Sequence, residues 1–471
     1  MRTNLGGNKQ RAMKIDIETI YQNLPSFAQQ IALDWRGKNI QINRYGELFK
    51  RTLTATIARS AFTKGQLDDY RAMMLSSHLK YARHSPFWSD KFSAYSVDPN
   101  ASDPFTELAK LPILTKVEVR QNLARIANPL IAQDDLLRTH TGGSTGSGLV
   151  FHETPECEAQ RWATWWRYRL NLGISLEMVC GHFGGRCLIP LTRVDPPFWR
   201  LSEQTRQIIF STQHLRRETV KFYVDKIEKM GLKWLHGYPS GISLVATWML
   251  EQNIPPPAGL RIITTGSENL TPLVKERIRK AFGVPVYQHY GMSESVANFS
   301  ETKDGKINVD EDFSATEFIP NADNAHEIIG TNWHNPAFPL FRYAPGDSCE
   351  LVQAPAGEAM VRQVAAINGR QQDFVVLKNG TMVGAAALSL IFADAPHVVE
   401  AQFVQNTPGK VEIRIVKGSS FGLEDEAAMA NQLRRRFGRL CDYRITYVDK
   451  LSRTVNGKLR LVVSETPTPT L

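Results

Sequence analysis

The sequence predicts an α/β protein: a large N-terminal domain built on more than one sheet, followed by a small α+β C-terminal domain. Three observations carry this. Between residues 233 and 291, short apolar runs end in glycine-containing turns and lead into helical periodicity, and the repeated strand–turn–helix unit is that of a layered α/β domain. Near residue 369 the texture changes to a hairpin, an alternating strand, a helix and a last strand, within about a hundred residues, a normal domain size. A chain of 471 residues also exceeds what one ordinary core encloses. We therefore expect domains at 1–368 and 369–471, with 1–14 as a polar, basic leader and Met13 as an alternative start.

Taken in order, Ile17, Ile20, Tyr21 and Leu24 recur at helical spacing and stop at Pro25. Ser26 is placed to cap a second helix through Ile31 and Trp35, ended by Gly37. A longer helix is expected over 65–83, broken by Pro86-Phe87-Trp88, and these pieces form a lead-in that packs onto a larger body. Residues 156–172 read as a helix whose Trp162, Trp165, Trp166 and Tyr168 belong to the core rather than to a cofactor box. Strands are expected over 233–239, 260–265 and 284–290, with helices over 240–252 and 273–282, the latter capped by Gly283. In such sheets ligands gather at the carboxyl ends of the strands, where Gly266-Ser267-Glu268 and Gly291 fall. Beyond residue 369, Lys378-Asn379-Gly380-Thr381 turns a hairpin, Val411, Ile413 and Ile415 mark a half-buried strand, 424–437 a helix and 443–448 a last strand.

Composition bounds the function. Apolar residues at 42% and charged residues at 22% are ordinary for a soluble globular chain. The net charge of +9 suits phosphate-bearing ligands or an anionic membrane surface, but no long Lys/Arg block argues for nucleic acid. Arg434-Arg435-Arg436 reads as the solvated face of a helix. Five scattered cysteines make no disulfide framework, and Cys180-Gly181-His182 with Cys187 lacks a second ligand pair for zinc. There is no bilayer-spanning apolar run and no secretory signal, so the expected location is cytoplasmic; a homodimer stays open.

The chemistry centres on Thr141-Gly142-Gly143-Ser144-Thr145-Gly146-Ser147-Gly148. This is either a flexible turn or a loop whose N–H groups and hydroxyls close on a phosphate. It is not the usual nucleotide loop, because it holds no lysine. Four more stretches follow it in order: Tyr290-Gly291-Met292-Ser293-Glu294, Tyr343-Ala344-Pro345-Gly346-Asp347, Gly369-Arg370-Gln371-Gln372-Asp373 and Asn456-Gly457-Lys458. In this order and spacing they resemble the adenylate-forming (acyl-CoA synthetase) superfamily. His236-Gly237-Tyr238-Pro239-Ser240, Pro339-Leu340-Phe341-Arg342-Tyr343 and Pro196-Pro197-Phe198-Trp199-Arg200 look like its phenylacetate–CoA ligase and capsular-polysaccharide branch.

The resemblance implies that ATP and a small carboxylic acid give an acyl-adenylate and pyrophosphate, after which an acceptor takes the acyl group. That acceptor is CoA by default, or an amine of a sugar or amino acid; a non-catalytic scaffold is the rival reading. It implies a large adenylation domain and a small mobile lid that rotates about Arg370 and Asp373. Thr141, Gly142, Gly143, Ser144, Thr145 and Gly146 would hold the β- and γ-phosphates. Gly266, Ser267, Glu268 and the segment Tyr290, Gly291, Met292 and Ser293 would border the nucleotide. Asp347 would bind the ribose hydroxyls unless it caps its own turn, and Arg370 could also reach the ribose. Glu294 is either a surface carboxylate or a hard-oxygen ligand for Mg²⁺. Lys458, a compact charge with three donors, would bridge the attacking carboxylate and the α-phosphate. His236 and Tyr238 line the acyl pocket or pack in the core. Two departures weaken any analogy for CoA use. Ser147-Gly148 replaces a lysine that many relatives carry, leaving Arg186 or Mg²⁺ to compensate, and the hinge has one acidic residue where many have two.

Overall fold

A computed structural model of the chain describes residues 21, 24–141, 149–185, 188–190, 192–268, 270, 272–320, 326–352, 361–368, 374–384, 388, 390–392, 394–395, 397–418, 420–449, 451 and 461–464. The lead-in is helical but longer than expected. Helix α1 (Ser26–Arg44) runs straight through Gly37. A Cβ at Gly37 would come within 2.9 Å of Ser202 Oγ, so this glycine permits close packing rather than ending the helix. Helices α2 (Glu47–Arg59) and α3 (Lys64–Ala82) follow, α3 begun by a reciprocal Thr63–Gln66 capping box. Pro86 does not simply break structure: it opens helix α4 (Pro86–Ala94) at the first position, where a missing N–H costs nothing.

A hairpin, β1 (Leu137–His140) and β2 (Val150–Glu153), precedes helix α5 (Pro155–Asn171). The body is one large sheet. Its parallel half sets β3 (Cys180–Gly184) between β5 (Gln207–Ser211) and β6 (Trp234–Gly237), then β7 (Ile262–Gly266) and β8 (Val286–Gly291), with β4 (Trp199–Ser202) antiparallel at the edge. Beyond β8 the sheet turns antiparallel through β9 (Asn298–Glu301). Side chains alternate across it. Phe183, Leu235 and Ile263 belong to one core with Ile242, Val245 and Ile278 of the helices Pro239–Glu251 and Pro272–Phe282. Cys180, Trp234 and Ile262 point the other way, into a core with Phe49 and Leu53 of α2 and Trp166 of α5.

The C-terminal part has its own four-stranded sheet, ordered Asp442–Tyr447, Lys410–Lys417, Val398–Thr407 and Val462–Ser464, and its own core. Val411, Ile413 and Ile415 are buried on one face as their alternation predicts. The expected hairpin turns at Gly380, φ +79°, and Gly283 has the left-handed φ of a helix cap, +68°. The arginine triplet is a correction: of the three arginines on helix Leu423–Phe437 only Arg434 is exposed, while Arg435 and Arg436 are buried, and Arg436 donates to Gln432 one turn back. Residues 369 to 373, where the domain boundary was expected, lie outside the described residues.

Candidate active site at the carboxyl edge of the sheet

Four neighbouring parallel strands, β3, β6, β7 and β8, each end in glycine: Gly184, Gly237, Gly266 and Gly291. The clearest constraint is at Gly237, where a Cβ would lie 2.2 Å from Phe183 O. Side chains are thus absent from the rim where α/β sheets bind ligands. Two residues just past this rim, Ser267 (φ +67°) and Ser295 (φ +57°), hold left-handed backbone that ordinary residues avoid, a strain that clusters at functional turns.

Three of the predicted segments converge here. The glycine-rich loop itself, Gly142 to Gly148, lies outside the described residues, but its two ends are fixed. Thr141 N donates to Leu149 O (2.9 Å), and Leu149 N donates back to Thr141 Oγ1 (2.8 Å). The base of this hairpin is tied to the next motif by Arg161 of α5. Its guanidinium holds both Glu153 oxygens (2.5 and 2.6 Å) and also donates to Ser293 O (3.2 Å) and Ser295 Oγ (3.1 Å). Burial works against this charge, but the Glu153 carboxylate outweighs it and the proton is held more tightly than usual. Tyr290, stacked on Phe299, donates its hydroxyl to Asp347 Oδ2 (2.9 Å), joining the second motif to the third. Glu294 is only 6% exposed; Tyr343 OH donates to its Oε1 at 3.5 Å, and Asn332 Nδ2 to its backbone O at 3.2 Å. Gly291 and Met292 lie between, and Gly266 pairs in register with His289. Glu268 is half-buried.

His236 and Tyr238 stand at the end of β6. His236 bonds Thr264 Oγ1 through Nδ1 (2.9 Å) and stacks on His182 at 5.7 Å; burial, then the Arg169 charge, pushes it well below the usual imidazole pKa. Tyr238 N donates to Phe183 O (2.8 Å) as the chain enters the next helix. His289, held neutral by burial and Arg169 with a pKa of about 3, bonds Asn298, which also accepts from Trp165 Nε1. Trp165 therefore has a place at this edge, beside Gly291, besides its role in packing. Arg370, Asp373 and Lys458 fall outside the described residues, as do Arg186 and Cys187. A cavity of about 300 Å³ lined by Lys233, Arg261 and Lys303 lies at the opposite, amino-terminal edge and contains none of the predicted residues.

Arg161, Glu153 and Asn298 were missed by sequence reasoning. The one available signal was a charged residue embedded among the tryptophans of an otherwise core-facing helix. Among the described residues no group of three His, Cys, Asp or Glu could hold a metal. Mg²⁺ needs only one or two carboxylates beside phosphate oxygens and water, and the Glu294 carboxylate is a hard-oxygen donor of that kind.

The family of CapK C-terminal domains matches residues 375–465. Protein CapK of Staphylococcus aureus is 26% identical over 449 residues, covering 94% of this chain and 98% of that protein. Phenylacetate-coenzyme A ligase of Escherichia coli (strain K12) is 24% identical over 347 residues, 66% of this chain and 73% of the ligase. A crystal structure of 2-hydroxyisobutyryl-CoA ligase in complex with 2-HIB-AMP and CoA superposes with a TM-score of 0.53 at 16% identity, over 86% of this chain and 91% of the ligase. The fold is that of the adenylate-forming ligases. The chain is thus similar to protein CapK over nearly its whole length and to phenylacetate-coenzyme A ligase over about two thirds of it. No helix among the described residues is long and apolar enough to cross a membrane.

Proposed function

We propose that the protein activates a small carboxylic acid with ATP and Mg²⁺, forming an acyl-adenylate, and passes the acyl group to CoA. The observation that carries this is the Tyr290–Asp347 hydrogen bond together with the Arg161 clamp, which join segments beginning at residues 141, 290 and 343 at one edge of the sheet. The carboxylate oxygen bonds to the α-phosphorus while the bond to the β-phosphate bridging oxygen breaks, and pyrophosphate leaves with that electron pair. Catalysis of this kind is positioning and charge stabilisation. The loop from Thr141 to Gly146 would bind the leaving phosphates. Asp347, oriented by Tyr290, would take the ribose hydroxyls, and Gly266, Ser267 and Glu268 would border the base. Mg²⁺, held by Glu294, would offset phosphate charge. Lys458 would steady the attacking carboxylate, carried by a lid of residues 369–471 that hinges at Arg370 and Asp373. His236 and Tyr238 would contact the acyl group. The activity would be cytoplasmic.

The test is pyrophosphate release across a panel of carboxylic acids, with hydroxylamine to trap the adenylate, for the native chain and Lys458→Ala. Acid-dependent release that falls at least about a hundredfold in the variant is the expected result. Release unchanged in Lys458→Ala removes the lysine from the reaction, and failure to bind ATP at all removes the enzyme reading. Adding CoA or amines then identifies the acceptor.

A further inference from the structure

Helix α1 is apolar on two opposite sides. Its inner side meets the body: Leu33 is buried, Arg200 Nε donates to Gln29 Oε1 (3.0 Å), Gln41 Nε2 donates to Gln204 O (2.7 Å), and Gly37 lies against Ser202. These bonds stop the helix from rolling. On the outer side Phe27, Ile31, Trp35 and Ile42 are 70%, 64%, 69% and 61% exposed. Their spacing of four, four and seven residues sets them in one line along the helix. Lys38 falls on the same line, whereas Asp34, the helix's acidic residue, is half-buried and accepts from Gln30 Nε2 at 3.0 Å; Arg36 is exposed but turned well away from the stripe.

We propose that α1 docks the protein on an anionic lipid surface. Phe27, Ile31, Trp35 and Ile42 would enter the boundary between headgroups and acyl chains, with Lys38 at the lipid phosphates. A helix lying in that plane needs an apolar face, basic charge and an interfacial aromatic, and the outer side of α1 offers the apolar stripe, Lys38 and Trp35 without an exposed carboxylate. A second copy of the chain is a poorer occupant. Self-docking would bring Lys38 towards its own copy on a chain of net charge +9. The four side chains also offer on the order of 500 Å², against about 800 Å² per partner in a stable interface.

The experiment is co-sedimentation of the full chain with vesicles of phosphatidylcholine alone and of phosphatidylcholine mixed with phosphatidylglycerol. The native protein should pellet with the mixed vesicles and be released by salt. The double variant Phe27→Ser/Trp35→Ser should lose about tenfold or more of this binding, and Lys38→Glu should lose the preference for the anionic vesicles, both with unchanged melting temperature and pyrophosphate release. Native protein that stays in the supernatant, or a double variant that pellets like the native chain, overturns the proposal. So does a native dimer in analytical ultracentrifugation that the double variant dissociates without any lipid binding, which would assign the stripe to a second copy.

Discussion

Single residues at the carboxyl edge do two kinds of work, and they should fail in different ways. Arg161 and Glu153 are buried partners, so removing one leaves the other charged and uncompensated. Arg161→Ala should cost about 3–5 kcal/mol in urea unfolding, while replacing both with apolar residues of similar volume should cost much less. Tyr290→Phe keeps the stacking on Phe299 and deletes the bond to Asp347. It should leave stability nearly intact and weaken ATP binding about tenfold, as expected for a hydrogen bond to a charged group; unchanged affinity would separate Asp347 from the nucleotide. Buried imidazoles set a pH limit. His78 and His289 are held by burial at a pKa of about 3, and His334 at about 4, below the ordinary 6.5. The unfolded chain therefore takes up protons first, so stability is full above about pH 6.5 and falls as pH drops towards 3, by roughly 1.4 kcal/mol per pH unit for each such group. Denaturation midpoints measured across that window would check it, with His289→Asn giving a shallower slope.

Elements hold these residues through close approaches that a sequence does not display. Gly237 is the tightest of the four strand-end glycines, and Gly237→Ala would drive a Cβ into the Phe183 carbonyl, which is backbone and cannot move aside. We expect loss of about 2 kcal/mol or more, read by chemical denaturation. Gly37 tests the same idea at α1, where the nearest atom is a small serine hydroxyl and Gly37→Ala should be tolerated better. Periodicity did find the elements. The strands at 234–237, 262–266 and 286–291 and the helices between them follow from apolar pattern and glycine punctuation within a residue or two of expectation. What it mistook were the extents of α1 and α4: Gly37 and Pro86 carry the same local signature whether they end a helix, permit packing or start one. Arg435 and Arg436 show a second limit, since a charge run reads as solvated until a neighbouring layer covers it.

At the scale of the molecule, the proposed binding of ATP and Mg²⁺ to the native state must raise its melting temperature, by about 2.7 kcal/mol of added stability at a hundred times Kd, and Glu294→Gln should remove most of the magnesium-dependent part. A shift identical in native and variant protein would take Glu294 out of the metal site. The sequence by itself determined the layered α/β class, the separate texture of the C-terminal residues and the order of the motifs, because these depend on local propensity, period and spacing. It also singled out Thr141, Tyr290, Glu294 and Asp347. Only the tertiary structure decided that Tyr290 reaches Asp347, that Arg161 binds the hairpin to the strand end, and that Phe27, Ile31, Trp35 and Ile42 of α1 are exposed among the described residues. Those facts are contacts between residues tens to more than a hundred positions apart, or the lack of them. A chain fixes such contacts only when its layers close.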